Sequence, residues 1–438
     1  MTTSHYVSRP STQLKGEMTV PGDKSISHRA IILGSIATGT TTINGFLDGE
    51  DCMATLRAFQ SMGVKIEGPV SQHVVVHGVG KYGLKKPNKV IDCGNSGTSI
   101  RLLAGLLAAQ TFDSELTGDS SLITRPMERV SRPLHQMGAL VLTAQGTPPL
   151  QIKGGRTLHG ITYEMPVASA QVKSCLLLAG LYAKGETKII EHGVSRDHTE
   201  RMLTAFSYPL HKSENTIVIN GSSECYGTDV NVPGDISSAA FFIVAATIIP
   251  NSELLIRNIG INPTRTGIIQ LLQRMGANLQ ITNKRLCGEE LVADILVSHS
   301  ELEGIDIPSA MVPLAIDEFP ALFIAASCAR GRTVLHGAKE LRCKESDRIG
   351  AMADGLNKLG IETEVFEDGI SIQGGILQGG VVDSRHDHRI AMAFLIAGAK
   401  ALSPVTVKDC ANIKTSFPTF VETAKHVNLI IEEQNDGT

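Results

Sequence analysis

TVPGDKSISHRAIILGSIATGTTTI, residues 19–43, is the stretch on which the fold turns. A short β-like run meets the turn Pro21-Gly22-Asp23, an Ala/Leu/Ile-rich helical segment opens at Lys24, and a Thr-rich β-like run follows Gly39. The same plan returns at roughly 70-residue spacing, the signature of a repeat architecture. It recurs as VIDCGNSGTSIRLLAGLLAAQ from Val90, YEMPVASAQVKSCLLLAGLYAKGETKII from Tyr163 and NVPGDISSAAFFIVAATIIPNSELLI from Asn231. MVPLAIDEFPALFIAASCARGRTVLH from Met311 and VDSRHDHRIAMAFLIAGAKALSPVTV from Val382 complete the set. Several copies run on into a second helical segment ending on a glycine (Gly63, Gly138, Gly276, Gly360), which suits a C-cap. An alternating run then follows, such as VKIE at 64–67 or IETEV at 361–365, and reads as a strand. Each unit is therefore expected to be βαβαββ, and six such units nearly exhaust the 438 residues.

Three units per half is the natural division, giving an α/β (α+β) protein of two similar domains. The first is expected over 22–233 and the second over 1–21 plus 234–438, because the PGD turn occurs both at Pro21-Gly22-Asp23 and at Pro233-Gly234-Asp235. Both turns lie between a strand and a helix, so two hinge crossings are expected near 21–24 and 233–236. The strand before the first turn is assigned to the second half. The helices are apolar nearly all round, as in AAFFIVAA at 239–246, and such helices are buried; three per half would lie under sheet layers.

Composition narrows the function classes. Apolar residues make up 42% and charged residues 19%, enough for two cores and unlike a disordered chain. A net charge of −4 disfavours nucleic acid or a membrane surface as a partner, so an anion site has to be a local concentration of basic groups. The eight cysteines show no CxxC spacing and no disulfide rhythm, the longest apolar runs are too short to span a bilayer, and the N-terminus has no signal-type stretch. A cytoplasmic monomer is expected. GVGKYG at 78–83 fits GxGxxG, but Pro87 precludes the helix that a dinucleotide needs. The pair His386 and His388 lacks further ligand spacing for a metal.

Polar residues gather at the starts of the apolar helices, where unpaired backbone N–H groups and the helix dipole favour anions. Lys24, Ser25 and Arg29 share the first start; Asn95, Gly97, Thr98 and Arg101 the second; Ser169, Ala170, Gln171 and Lys173 the third. Asp317 with Glu318, and Asp387-His388-Arg389, occupy equivalent turns in the second half, with KESDR at 344–348 and RPM at 125–127 in the connections. Any one of these basic residues alone would read as a solvated surface charge, and Ser25, Thr98, Ser169 and Asp317 each suit an N-cap. Their recurrence at equivalent positions favours one anion-binding cleft carrying acid/base groups.

PGDKSISHRA, GNSGTSIR, RPMERV, SAQVKSCLLLAGL, SRDHTERM, AIDEFP, KESDR, DHRIAM and NIKTSFP, in this order and over nearly the whole chain, resemble the EPSP synthase (3-phosphoshikimate 1-carboxyvinyltransferase) family. The resemblance implies two domains of three βαβαββ units closing on their substrates, with no metal or organic cofactor. It implies shikimate 3-phosphate on Lys24, Ser25, Arg29, Ser169, Ala170, Gln171, Ser195, Asp317 and Lys344. Phosphoenolpyruvate is implied on Lys24, Gly97, Arg125, Gln171, Arg348, Arg389 and Lys414, with accessory places for His388, Asn95, Thr98 and Arg101. Asp317, Glu345 and Lys24 carry the implied chemistry. Asp23 and Ala170 depart from the serines that many relatives have there. Gly97 keeps the small residue associated with binding of the inhibitor glyphosate, while RPMERV, SAQVK and SRDHTE resemble the branch that includes tolerant members; sensitivity stays open. The related transferase acting on UDP-N-acetylglucosamine usually has a cysteine in the loop corresponding to SSLITRPMERV, which has none here. A non-catalytic βα-repeat scaffold would leave Asp317, Glu345 and His388 without a task.

Overall fold

The structure, a computed structural model, describes residues 4–434. The chain forms two compact units. One consists of Gly22–Val232 joined by the short segment Cys287–Glu290; the other takes the chain before Gly22, Pro233–Leu286 and the chain from Leu291 onward. Each has its own hydrophobic core.

In the Gly22–Val232 unit, three core helices, Lys24–Ile36, Gly97–Leu107 and Ala170–Gly180, are buried along most of their length. Their apolar residues on all sides leave no face suited to water. Gly105 permits the last two to pack backbone to backbone, since a Cβ there would lie 2.0 Å from the carbonyl oxygen of Cys175. Three four-stranded sheets cover the helices, in the orders Asp229–Asn231 / Thr38–Asn44 / His73–Val79 / Lys65–Val70, Ile91–Asp92 / Ser114–Thr117 / Thr147–Lys153 / Leu140–Ala144, and Thr162–Met165 / Glu186–Glu191 / Thr216–Asn220 / Leu210–Ser213. In each the first pair is parallel and the rest antiparallel; in the second and third sheets this is what a βαβ crossover followed by a hairpin produces.

The other unit repeats the plan around Ile236–Ile248, Phe319–Ser327 and His388–Lys400. Its sheets show how the chain closes on itself. Lys15–Met18 pairs in parallel with Glu253–Gly260, while Asp229–Asn231 takes the corresponding place beside Thr38–Asn44. The two PGD turns thus exchange the strands that precede them. The sheet Arg332–Leu335 / Gly369–Gln373 / Thr363–Phe366 has isolated bridges, Glu303 to Arg330 and Asp306 to Val334, where its sisters have a fourth strand. In the last sheet His5–Arg9 lies between Val405–Lys408 and Ile430–Gln434, antiparallel to both. The sixth repeat is therefore completed by the opposite end of the chain, where the sequence reading expects a self-contained unit. Among the described residues no helix is long and apolar enough to cross a membrane.

At the first crossing, Gly22 is obligatory for space: a Cβ would fall 1.9 Å from the Gly45 carbonyl oxygen. At the second, the Asp235 amide donates to the Pro21 carbonyl at 2.9 Å, so the two turns are bonded side by side within one unit.

Candidate active site

Five of the six core helices are capped by the side chain just before their first residue. Asp23, Ser96, Ser169, Asp235 and Asp387 accept from Ile26, Ser99, Val172, Ser237 and Arg389 amides respectively. Capping is thus assigned to Ser169, whereas Ser25 and Thr98 lie two residues past the caps Asp23 and Ser96, and Asp317 lies one residue before the cap position Glu318. Glu318 precedes the remaining helix without a side-chain cap bond, and Pro320 sits in its first turn.

In the Gly22–Val232 unit the basic residues are held by partners far away in sequence. Lys24 Nζ lies 2.7 Å from the Asp51 carboxylate. Arg29 is buried, donating to Thr199 Oγ1 at 2.6 Å, Ser174 Oγ at 2.7 Å and the Ser25 carbonyl at 2.9 Å. It ties the first core helix to the third. Arg101 donates to Gln171 Oε1 at 2.8 Å, and the Gln171 amide donates to Thr98 Oγ1 at 3.1 Å, fixing the orientation of the Gln171 side chain. Arg125 donates to Asn95 Oδ1 at 2.8 Å, and Asn95 to Asp119 Oδ2 at 2.8 Å. Gly97 lies between the two guanidinium groups, because a Cβ there would meet Arg101 Nη1 at 2.8 Å and Arg125 Nη1 at 3.2 Å. Lys24, Ser25, Ser169, Ala170 and Gln171 are partly exposed at their helix starts. Ser195 donates to Glu191 at 2.5 Å, and Glu191 shares the buried Lys173 ammonium with Glu200.

Beneath this surface a relay of hydroxyls joins two helix starts. His28 Nδ1 meets Thr55 Oγ1 at 2.8 Å, Thr55 meets Ser99 at 2.6 Å, and Ser99 meets the capping Ser96 at 2.8 Å. Burial, with the Lys24 and Arg29 charges nearby, holds the His28 imidazole well below its ordinary pKa and therefore neutral.

In the other unit, Arg348 is the hub. Its side chain is 1% exposed and donates to Asp387 at 2.8 Å, Glu345 at 2.6 Å and Asp317 at 3.4 Å. Burial works against its charge, but the Asp387, Glu345 and Asp317 carboxylates outweigh it and raise the Arg348 pKa. Lys344 Nζ lies 3.4 Å from Asp317. The Asp317 and Glu345 side chains are 15% and 20% exposed, so each carboxylate is fixed on one side and open on the other. His388 and Arg389 open the last core helix and are buried, while Lys414 is exposed on the short turn Cys410–Thr415.

Sequence reasoning missed Asp51, Asp119 and Arg265, and it assigned no role to Asp387. The only local signal for Asp51 is its place beside Glu50 in the first turn of Glu50–Ser61, and for Asp119 its place in a Gly-Asp turn after Ser114–Thr117. Both act as counter-ions or orienting groups for residues more than 20 positions away, a pairing that only the fold creates.

Two units of three repeats, with cationic helix starts in one and a carboxylate–guanidinium hub in the other, define the class of enolpyruvyl transferase folds. The enolpyruvyl transferase NikO from Streptomyces tendae shares the fold, with a TM-score of 0.82 over 100% of both chains at 17% identity. The chain belongs to the EPSP synthase (3-phosphoshikimate 1-carboxyvinyltransferase) family, whose model matches residues 8–424. A 3-phosphoshikimate 1-carboxyvinyltransferase of Legionella pneumophila (strain Lens) is 68% identical, covering 98% of this chain and 99% of its own. One of Methylococcus capsulatus (strain ATCC 33009 / NCIMB 11132 / Bath) is 57% identical, with 98% of each covered. The EPSP synthase structure from Acinetobacter baumannii superposes with a TM-score of 0.88 at 53% identity, covering 98% of this chain and 100% of that one.

Proposed function

We propose that this chain transfers the enolpyruvyl group of phosphoenolpyruvate to the 5-hydroxyl of shikimate 3-phosphate and releases phosphate, a step of chorismate and aromatic amino acid biosynthesis. Membership of the family supports the reaction. The observation that carries it at the level of residues is the pair Asp317 and Glu345, both anchored on Arg348 and both partly open.

The chemistry needs two proton movements. In the addition, the 5-hydroxyl loses its proton as its oxygen bonds to the central carbon of phosphoenolpyruvate, and the methylene carbon gains a proton. In the elimination, that methyl group returns a proton and the C–O bond to phosphate breaks. Asp317 engages the 5-hydroxyl and Glu345 exchanges the proton at the methylene carbon, while Lys24, oriented by Asp51, stabilises charge at the phosphate. Ser25, Ser169, Ala170, Gln171, Ser195 and Lys344 bind shikimate 3-phosphate. Arg29, which also holds the Ser25 backbone, binds shikimate 3-phosphate with them. Gly97, Arg125, Gln171, Arg348, Arg389 and Lys414 bind phosphoenolpyruvate, whose carboxylate and phosphate both suit the guanidinium fork. His388, Asn95, Thr98 and Arg101 orient these groups. The balance closes with the two substrates alone, so no cofactor or metal is assigned.

We also infer a cytoplasmic monomer without nucleic-acid or membrane partners. The net charge of −4 repels polyanions on average, and all eight cysteines are free thiols, as a reducing compartment keeps them.

The deciding assay is phosphate release from phosphoenolpyruvate, with shikimate 3-phosphate and separately with UDP-N-acetylglucosamine. Release with the shikimate ester alone is expected. Release with the UDP sugar alone would move the activity to the other transferase, and tight binding without turnover of either would leave a binding scaffold.

A further inference from the structure

Arg265 lies in the loop 262–266 before the helix Gly267–Arg274, outside every motif assigned to a substrate, yet it is buried. Its Nη2 donates to Asp235 Oδ1 at 2.9 Å and to Ser237 Oγ at 2.6 Å, and it lies 3.6 Å from Glu318 Oε1. Ser237 Oγ in turn donates to Glu318. Asp235, Ser237 and Glu318 are all buried, so these contacts are shielded from water and salt. The loop is pressed against the segment leading to Asp317: the Gly267 amide donates to the Leu314 carbonyl at 3.2 Å, and a Cβ on Gly267 would lie 2.6 Å from the Leu314 carbonyl carbon.

The geometry has a direction. Asp235, the last residue of the PGD turn at the second crossing, caps Ile236–Ile248, and Glu318 stands at the start of Phe319–Ser327, next in sequence to Asp317. Arg265 therefore clamps two helix starts together, and one of them carries the carboxylate assigned to the 5-hydroxyl. Because Glu318 makes no side-chain cap bond to its own helix, its carboxylate is turned to Ser237 and Arg265 instead. Asp317 itself is paired with Lys344 and Arg348. Its place is thus set by two groups of contacts, one through its own side chain and one through its neighbour.

We propose that Arg265 is a positioning residue for Asp317, acting through Ser237 and Glu318 to hold the start of Phe319–Ser327 in the geometry that the 5-hydroxyl step requires. The inference rests on the role given to Asp317 above. A lysine at 265 keeps the charge but puts it on a differently shaped side chain without the guanidinium plane, so the contacts that Nη2 makes to Asp235 and Ser237 are expected to shift.

The test is a double-mutant cycle on the full chain, with turnover of shikimate 3-phosphate and phosphoenolpyruvate measured alongside thermal melting. Arg265→Lys is expected to lower kcat about 10- to 100-fold, as an ångström-scale misplacement of a reacting group does, with the KM for phosphoenolpyruvate changed by less than about threefold. In the Asp317→Asn background, followed by single-turnover quench, the same change is expected to lower the rate no further. An unchanged kcat in Arg265→Lys with a lowered Tm would overturn the proposal, since that is what a purely structural clamp predicts. So would an equal loss in both backgrounds. If Arg265→Lys does not fold, Ser237→Ala, which removes the hydroxyl between Arg265 and Glu318, is read by the same two criteria. Full turnover in Asp317→Asn alone would remove the role assigned to Asp317, and the inference with it, a result distinct from a failure of the cycle.

Discussion

Gly97 and Glu345 show how a single side chain is constrained by what surrounds it. At Gly97 the missing Cβ leaves room for Arg101 Nη1 and Arg125 Nη1, each held in place by Gln171 or Asn95. Gly97→Ala is expected to displace one guanidinium and raise the KM for phosphoenolpyruvate about tenfold, a loss near 1.4 kcal/mol, with the melting temperature little changed. An unaltered KM would mean that neither guanidinium meets that substrate. Glu345→Gln keeps the shape but removes the exchangeable proton, and Arg348 stays paired with Asp387 and Asp317. Its kcat should fall about 10²- to 10⁴-fold while both KM values stay within a few-fold. Parallel changes in kcat and KM would reassign Glu345 to binding. The helix-start residues were legible as helix starts because a turn of Gly, Ser, Asp and Lys before an apolar run marks a helix N-terminus. Their counter-ions were not, because Asp51, Asp119 and Asp387 reach their partners through folding alone.

Between elements, the His28 relay couples the start of Lys24–Ile36 to Ser96, the cap of Gly97–Leu107. Its imidazole is neutral in the folded state, since burial and the Lys24 and Arg29 charges all oppose a second proton. An unfolded histidine titrates near pH ~6.5, so above that value neither state is protonated and stability is full. As pH falls below about 6.5 the unfolded chain takes up a proton that the folded chain refuses, and stability drops by up to about 1.4 kcal/mol per pH unit. His28→Gln retains a hydrogen-bonding group for Thr55 without the titration. The variant is expected to lose less stability than the parent between pH 7.5 and 5.5, measured by urea midpoints. Equal losses in the two proteins would show that His28 accepts its proton when folded.

At the scale of the molecule, the repeat was legible because helix starts and glycine C-caps are local, whereas strand exchange is not. Nothing in HYVSR at 5–9 announces that it is the inner strand of a sheet whose other members lie some 400 residues away. Nor does the sequence indicate that Cys287–Glu290, the turn between Asn278–Cys287 and Glu290–Ser298, clusters with Gly22–Val232, where Glu290 meets the buried His198 at 2.7 Å. The closure by His5–Arg9 has a physical consequence. Without that strand, Val405–Lys408 and Ile430–Gln434 each lose an antiparallel partner, and the packing of Ser8 against Gly398, where a Cβ would lie 2.6 Å from that of Ser8, is lost from the last core helix. Backbone groups left without that partner cost about 1–3 kcal/mol each if they stay buried and unpaired, so the sheet is expected to open to water. Deleting residues 1–11 should therefore abolish amide-exchange protection in Val405–Lys408 and Ile430–Gln434. The Gly22–Val232 core, which takes no strand from that segment, should keep its own. Retained protection at Val405–Lys408 would show that the sixth repeat closes without the N-terminal strand, and loss of protection in both cores would show that the two units fold as one cooperative body.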